Sequence, residues 1–157
     1  MRYFIALLLM IVSLCAHTGD RTVNFQFTDI QGNNLTLSDF RGKWVIVNFY
    51  ATWCPLCWME VPSLNEMNKR KDVAVIGVAL DYAEPSSVSE AITRHNIQFS
   101  RNVLGGSRRS SDSAYRQVGP VDFFPTSYVF DPKGNIVMFI PGQFKETSFL
   151  EFISKYK

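Results

Sequence analysis

The sequence has few of the residues that bind metals, cross-link a chain or contact nucleic acid. Its 157 residues include 3 cysteines and 2 histidines, and the formal net charge is only +2. The longest basic run is the trio at 69–71, which is too short for a nucleic-acid footprint, so we expect no nucleic-acid partner. The chain is nevertheless 46% hydrophobic, with 13 phenylalanines, so one domain of this length can build a core without depending on disulfides.

The apolar stretch at the amino terminus is too short for a membrane-spanning helix, which needs roughly 20 residues. It runs only from Tyr3 to Ala16, behind a positive Arg2. This pattern is typical of a secretory signal that is cleaved after Ala16. An uncleaved anchor and lipidation at Cys15 stay open, although Leu14 is larger than the residue that lipoprotein processing prefers there. In each case the folded part leaves the cytoplasm, where disulfides can form.

The chain divides into a signal peptide or anchor at 1–16, a linker at 17–22 and a single domain at 23–157. Strands alternate with helices in this domain, which predicts an α/β fold with a mixed sheet. The predicted elements are a hairpin around 31–34, a strand at 44–51, a helix from about Cys54 to Lys69 interrupted by Pro62, a strand at 72–80, a helix at 86–96 capped by Ser86 or Ser87, a short helix within 108–119, a hairpin turning at 131–134 and a helix at 145–157.

The two cysteines of the domain lie where a predicted strand ends and a predicted helix begins. At a helix start the sulfur of Cys54 faces unpaired backbone N–H groups and the positive end of the helix dipole, which favour the thiolate. Such sites lower the pKa of a cysteine from about 8.5 into a range of roughly 3.5 to 7.5. Cys57 follows one turn later on the same face. We therefore predict that Cys54 is the exposed nucleophile and that Cys57 is the shielded cysteine that resolves a mixed disulfide.

Other uses of this cysteine pair agree less well with the sequence. Zinc needs about four ligands, and His95 is the only further soft ligand in the folded part. Covalent haem attachment needs a histidine after the second cysteine, where Trp58 stands. A disulfide that closes so short a loop would stabilise little, although a pair of inert buried cysteines stays an alternative. We expect no metal and no cofactor. We assign no role to His95, and we interpret the polar stretch at 108–113 as a solvated connection.

The segment VIVNFYATWCPLCWMEVP at 45–62 resembles the active-site segment of thioredoxin-fold proteins. It is most similar to the TlpA/ResA/DsbE type of bacterial envelope thiol–disulfide oxidoreductase, and the similarity covers nearly all of 23–157. In that family a strand ends in Trp-Cys-x-x-Cys, matched by Trp53 to Cys57, and a helix proline follows, matched by Pro62. The resemblance implies a thioredoxin-like mixed sheet flanked by helices, with an N-terminal β-hairpin extension.

The resemblance also implies a substrate-binding loop around Pro125. In the family a cis proline precedes the last hairpin and packs against the sulfurs. A cis bond lets the loop turn beside the cysteines and leaves its backbone free to pair with an extended substrate. Phe124 and Thr126 flank this proline, and with Trp53 they are implied to contact the substrate. Phe123 and Phe124 either give this loop an apolar surface or belong to the core.

Glu60 matches a glutamate that this branch often carries three residues after the second cysteine. Cytoplasmic thioredoxins carry a buried aspartate on the active-site strand instead, where this chain has Asn48. The spacing puts Glu60 beside Cys57 on the helix. A partly desolvated carboxyl there would have a raised pKa and could exchange a proton with Cys57 near neutral pH. An exposed helix glutamate without a role is the alternative.

The resemblance implies an enzyme that reduces protein disulfides on the periplasmic or extracytoplasmic side of a bacterial membrane. Its substrates would be disulfide-bearing proteins, with apocytochrome c and cytochrome c maturation among the family's tasks. A membrane thiol donor would restore the dithiol, and the protein would be a monomer. Leu56, between the cysteines, offers the thiolate neither charge nor a hydrogen bond, so we expect a more reducing couple than that of a strong oxidant.

Two other activities occur on the same fold. A thiol-dependent peroxidase would want the pattern T-x-x-C, whereas Thr52 gives T-x-C and the site has a paired cysteine. A copper-delivery protein would want a longer cysteine spacing and a positioned histidine, and the sequence shows neither. Both stay alternatives to the reductase.

Overall fold

The computed structural model describes residues 23–156, so the predicted signal peptide or anchor at 1–16 and the linker at 17–22 lie outside the described residues. The elements are β1 (Gln26–Thr28), β2 (Asn34–Thr36), β3 (Trp44–Tyr50), α1 (Pro55–Lys69), β4 (Val73–Ala79), α2 (Pro85–Arg94), β5 (Arg101–Leu104), β6 (Thr126–Phe130), β7 (Ile136–Pro141) and α3 (Glu146–Lys155), with 3₁₀ turns at Leu37–Phe40 and Ala114–Gln117. Within 23–156 no helix combines the length and the apolar character needed to cross a membrane.

A mixed sheet of five strands, in the order β5-β4-β3-β6-β7, forms the centre of the domain. Strands β3, β4 and β5 are parallel neighbours, whereas β6 is antiparallel to both β3 and β7. Every residue of β3 and of β4 is buried, as their continuous apolar sequences predict. Strands β1 and β2 pair as a separate antiparallel hairpin. The predicted α/β fold with a mixed sheet and an N-terminal hairpin is confirmed.

Two hairpin turns share the sequence Asp-x-x-Gly-Asn and the same hydrogen bonds. Each begins with a buried aspartate, Asp29 or Asp131, whose Oδ1 accepts the amides two and four residues later at 2.8–3.0 Å. Each turn also needs a left-handed residue, supplied by Gly32 with φ 86° or Gly134 with φ 91°, because glycine adopts this conformation without a steric cost. Local sequence therefore forms both turns. The second lies where it was predicted, and the first begins about two residues before the predicted 31–34, with Asn34 already in β2.

Helix α1 runs through Pro62 without a break, so the predicted interruption is wrong. The proline removes a single N–H, the one that would bond to the carbonyl of Trp58. Its neighbours Val61 and Leu64 are buried, and Leu64 packs in an apolar cluster beneath the sheet. Packing of this face therefore outweighs the local cost of the proline.

Helix α2 begins at Pro85 with Glu84 as its N-terminal flanking residue, so the predicted cap at Ser86 or Ser87 is wrong. The fixed φ of proline suits the first helical position, where its missing N–H is no loss. The proline therefore places the helix start two or three residues earlier than a serine cap would.

The chain between α2 and β6 is less helical than expected. The short helix predicted within 108–119 is reduced to the 3₁₀ turn Ala114–Gln117. Strand β5 has no counterpart among the predicted elements, because its 4 residues are partly exposed and gain their order from pairing with β4. Both differences reflect short segments whose conformation depends on neighbours distant in sequence.

Alternate side chains of β3 enter different apolar clusters, as the two-residue period of a strand requires. Val47 and Phe49 pack with the N-terminal hairpin, whereas Trp44 and Ile46 pack with α1 and α3. The ring of Phe149 in α3 meets Trp44 edge to face at 6.2 Å. A third cluster lies at the carboxyl end of β3 and contains both cysteines of the domain. The sheet thereby places the cysteine pair at one end of the core.

Candidate active site

Cys54 and Cys57 form a disulfide where β3 passes into α1, with Cα atoms 5.4 Å apart. Cys54 is the N-terminal flanking residue of α1, and its sulfur accepts the amide N–H of Cys57 at 3.2 Å. Pro55 takes the first helical position, which tolerates the missing N–H. The helix therefore starts where the sequence predicts, and its dipole and amides favour a thiolate on Cys54 in the reduced form.

Both cysteines are buried in this disulfide form. Cys54 is 4% exposed and Cys57 is 2% exposed, so the predicted exposure of Cys54 is not found in the oxidised protein. The physical reason is the third apolar cluster, in which Tyr50, Val61 and the ring of Phe124 pack around the pair. The prediction that Cys54 is exposed and Cys57 is shielded therefore applies to the reduced protein.

Glu60 is buried one helical turn beyond Cys57, with only 2% of its surface exposed. Its Oε1 accepts the side-chain amide of Asn48 at 2.7 Å, and its Oε2 accepts the backbone N–H of Phe144 at 2.5 Å. Burial raises the pKa of Glu60 from 4.5 to about 7, although these two hydrogen bonds act in the opposite direction. The alternative of an exposed helix glutamate is wrong.

Asn48 connects Glu60 to a second strand. Its Nδ2 also donates to the hydroxyl of Ser127 at 3.0 Å, and all three side chains are buried. The sequence singled out Asn48 only as the position of an aspartate in thioredoxins, and it gave no signal for Ser127 or for the amide of Phe144. An amide side chain here adds no second negative charge beside the buried carboxyl.

The Phe124–Pro125 peptide bond is cis, as the resemblance implies, and it lies directly before β6. The hydroxyl of Thr126 donates to the carbonyl of Phe123 at 2.9 Å. Phe124 meets Trp53 edge to face, with ring centroids 5.6 Å apart, and packs against the cluster that holds the cysteines. Phe123 is 66% exposed and Trp53 is 60% exposed. Hence Phe123 belongs to the surface and Phe124 to the wall of the site.

The polar stretch at 108–113 is not merely a solvated connection, because Arg108 lies against the site. Its Nε donates to Oδ2 of Asp81 at 2.6 Å, and its guanidinium lies 4.3 Å from the ring centroid of Phe124. A cavity of about 710 Å³ opens here, with Trp53, Asp81 and Arg108 in its lining. Sequence reasoning missed Arg108, because Asp81 is 27 residues away and no local pattern joins them.

His95 ends α2, as expected of a helix-end residue. Its imidazole stacks on the indole of Trp58, with ring centroids 4.0 Å apart and the planes inclined by 5°. Burial, followed by the charge of Arg94, lowers the pKa of His95 below 6.5. The contact connects α2 to the residue that follows Cys57.

Together these features define a class of protein. A Cys-x-x-Cys disulfide at a helix start, in a cluster with the residue that precedes a cis proline, is the arrangement of a thioredoxin-fold thiol–disulfide protein. A sequence model described as the AhpC/TSA family matches residues 18–139. The chain belongs to this family, and the predicted resemblance to its ResA-type members is confirmed by the relatives.

Two of the curated relatives, both named thiol-disulfide oxidoreductase ResA, show the extent of the similarity. The one from Bacillus thuringiensis subsp. konkukian is 30% identical over 139 residues, which span 87% of this chain and 77% of the relative. The one from Bacillus subtilis is 29% identical over 140 residues, which span 88% of this chain and 75% of the relative. Among solved structures, the thioredoxin domain of a thiol-disulfide oxidoreductase from Bacteroides vulgatus is 25% identical with a TM-score of 0.67, covering 84% of this chain and 94% of that one.

Proposed function

We propose that this protein reduces disulfide bonds of other proteins outside the cytoplasm by thiol–disulfide exchange. The observation that carries the proposal is the position of Cys54 at the start of α1, within bonding distance of Cys57. The Cys54 thiolate attacks one sulfur of a substrate disulfide, which forms a mixed disulfide and releases one substrate thiolate. Cys57 then attacks the Cys54 sulfur, releases the second substrate thiolate and leaves the Cys54–Cys57 disulfide. The named relatives support this chemistry.

Glu60 is the proton acceptor for Cys57 in this proposal. Cys57 has to lose its proton before it attacks the mixed disulfide, and the carboxyl lies one turn away on the same helix. A group exchanges protons best when its pKa is near the working pH, and burial raises that of Glu60 to about 7. Glu60 therefore suits proton transfer at neutral pH better than an exposed glutamate would.

The proposed substrate is an extended, disulfide-bearing segment of a protein. Trp53 and the Phe124–Pro125 loop flank the cysteine pair, and Phe123 and Leu56 are exposed apolar side chains nearby in sequence. Such a surface binds an unfolded segment by burying apolar area and by backbone pairing. Apocytochrome c, whose cysteines must be reduced before they receive haem, fits this description. A membrane thiol donor would return two electrons per cycle, and the protein would act as a monomer.

We expect the dithiol couple to lie well below the strong envelope oxidants, whose potentials are near about −120 mV. Leu56 stabilises the Cys54 thiolate by neither charge nor hydrogen bond, so the reduced form gains little beyond the helix start itself. Equilibration of the full domain with a glutathione buffer measures the midpoint. Leu56→Lys is the matched comparison, because its cation would stabilise the thiolate and make the couple more oxidising. A midpoint of the unmodified protein as high as that of the oxidants would reject the reductase proposal.

We expect the protein to be exported, because residues 1–16 are the proposed signal peptide or anchor. Mass determination of the mature amino terminus distinguishes a cleaved signal peptide, a lipoprotein and an uncleaved anchor. A chain beginning near His17 would be the expected cleaved product. A lipid on Cys15 would identify a lipoprotein, and an intact Met1 on membranes would identify an anchor. Recovery of the folded protein in the cytosol would contradict export in all three forms.

A further inference from the structure

Arg108 contacts three separate parts of the chain beside the disulfide. Its Nε and its backbone N–H both donate to the carboxylate of Asp81, at 2.6 and 2.7 Å. Its Nη1 donates to the carbonyls of Val121 and Asp122, at 3.4 and 3.2 Å, in the segment that leads to the cis proline. Its guanidinium also covers the ring of Phe124. One side chain therefore connects the loop after β4 with the loop before β6.

Asp81 transmits this connection to Trp53. The backbone carbonyl of Asp81 accepts the indole N–H of Trp53 at 3.0 Å. Asp81 has a φ of 51°, a left-handed conformation that is uncommon outside glycine, although aspartate adopts it more readily than most residues. Both carboxylate oxygens of Asp81 accept hydrogen bonds from Arg108, so Arg108 supports the conformation that presents this carbonyl to Trp53.

Arg108 joins the two walls of the site, because it contacts Phe124 directly and Trp53 through Asp81. Trp53 is largely exposed, and its described ring contact is with Phe124. Phe124 is partly buried: it packs against two apolar clusters and also contacts Trp53 and Arg108. Without Arg108 the walls could move relative to one another, and a polypeptide would have to order them when it binds. Order that exists before binding lowers that cost.

We infer that Arg108 is the positioning residue of the substrate site, where it holds Trp53 and Phe124 at the spacing that admits an extended polypeptide to Cys54. The inference rests on the proposed function, because it assumes that the substrate is a polypeptide. The planar guanidinium lies flat over a ring while its fork of N–H groups donates in fixed directions, a geometry that the compact ammonium of lysine does not reproduce. The residue therefore acts by geometry as well as by charge.

The test isolates the attack of Cys54 in the full chain that carries both Cys15→Ser and Cys57→Ser. Two probes release the same 2-thiopyridone: an extended peptide whose cysteine carries a 2-thiopyridyl group, and 2,2′-dithiodipyridine, which has no peptide. Arg108→Ala and Arg108→Lys are compared with Arg116→Ala. Arg116 is a matched control because it also bonds to a backbone carbonyl, that of Ser110, and covers an aromatic ring, that of Tyr115.

We expect both Arg108 variants to raise the half-saturating concentration of the peptide probe about tenfold, with little change in the limiting rate. The rate with 2,2′-dithiodipyridine should change by less than about twofold, because no wall is needed to place a small disulfide. Arg116→Ala should resemble the parent with both probes. Circular dichroism of each variant establishes that it is folded, because an unfolded chain would react with both probes through its exposed thiol. Arg108→Lys supplies the result if the alanine variant does not fold.

Three outcomes would overturn the inference: a parent-like ratio in Arg108→Ala, full rescue by Arg108→Lys, or an equal loss with both probes. Failure of the proposed function would appear in a different measurement, the midpoint potential of the cysteine pair. An oxidising midpoint in the protein with both cysteines would reject the reductase direction. It would leave the probe ratio informative, because Cys54 takes part in the same mixed disulfide in either direction.

Discussion

Cys54→Ser should abolish disulfide reduction, and Cys57→Ser should leave the substrate covalently bound to Cys54. A serine hydroxyl cannot replace the thiolate as nucleophile, so turnover of a protein disulfide should fall by at least about a thousandfold in either variant. The difference between the variants lies in the product. With Cys57 removed, the mixed disulfide forms but nothing within the protein resolves it.

Mass spectrometry of the quenched reaction distinguishes the two cysteines. Cys57→Ser should gain the mass of one substrate, released by dithiothreitol, and Cys54→Ser should gain none. Cys15→Ser is the matched control, because it removes the third cysteine of the chain and leaves the pair intact. A substrate trapped on Cys57 in the Cys54→Ser variant would reverse the proposed roles. Applied to the native bacterial envelope, the same trap would identify the physiological substrate.

Glu60→Gln should remove a large part of the pH dependence of stability above pH 4.5. Burial raises the pKa of Glu60 from 4.5 to about 7 in the folded protein. Between these values the folded form binds a proton that the unfolded form has released, so stability falls as pH rises. The stabilisation is complete below pH 4.5 and is lost through about pH 7, and it amounts to about 3 kcal/mol at most.

The measurement is the free energy of unfolding in urea at pH 4.5, 6 and 8. The unmodified protein should lose stability across this range relative to Glu60→Gln. Asp29, Asp81 and Asp131 do not obscure the difference, because their pKa values lie below 3.8 and they stay ionised. Glu66→Gln is the control, since Glu66 is an exposed carboxylate on the same helix. Parallel pH profiles for the unmodified protein and Glu60→Gln would show that Glu60 titrates as an ordinary glutamate.

The same variant tests the proton transfer in the reduced protein. A carboxylate at position 60 opposes a second negative charge nearby, so its removal should move the alkylation profile of Cys54 to lower pH by about one unit. Turnover near pH 7 should slow, because Cys57 loses its proton acceptor. Alkylation rates measured across pH report the shift in the profile of Cys54. A protein-disulfide reduction assay at pH 7 reports the slower turnover. Superimposable alkylation curves for the two proteins would remove Glu60 from the mechanism.

Several features that depend on neighbours in the sequence were predicted correctly, although the start of α2, which is also local, was not. Apolar runs predicted β3 and β4, and turn residues between extended segments predicted both hairpins. The structure shows that each turn is local, because its aspartate bonds to amides within four residues of itself. The position of Cys54 at a helix start also follows from local order, since the strand, the cysteine and the helix are consecutive. The cis proline came from resemblance to a family rather than from physical reasoning.

Features that depend on contacts between distant residues needed the folded chain. Pro62 remains within α1 because the buried neighbouring residues outweigh its local cost, and β5 exists because it pairs with β4. Glu60 is buried beneath an amide that lies 84 residues away, so its raised pKa could be anticipated only in direction.

The sequence by itself determined the pair of sulfurs, the strand-to-helix turn that presents them and the class of chemistry that they perform. Tertiary structure alone decided what surrounds the pair: the buried carboxylate with its two hydrogen bonds, and the arginine that joins the loops at Asp81 and Phe124. The physical reason is that hydrophobic period and helix-start chemistry act over a few residues, whereas burial and ion pairing depend on which distant segments the sheet brings together.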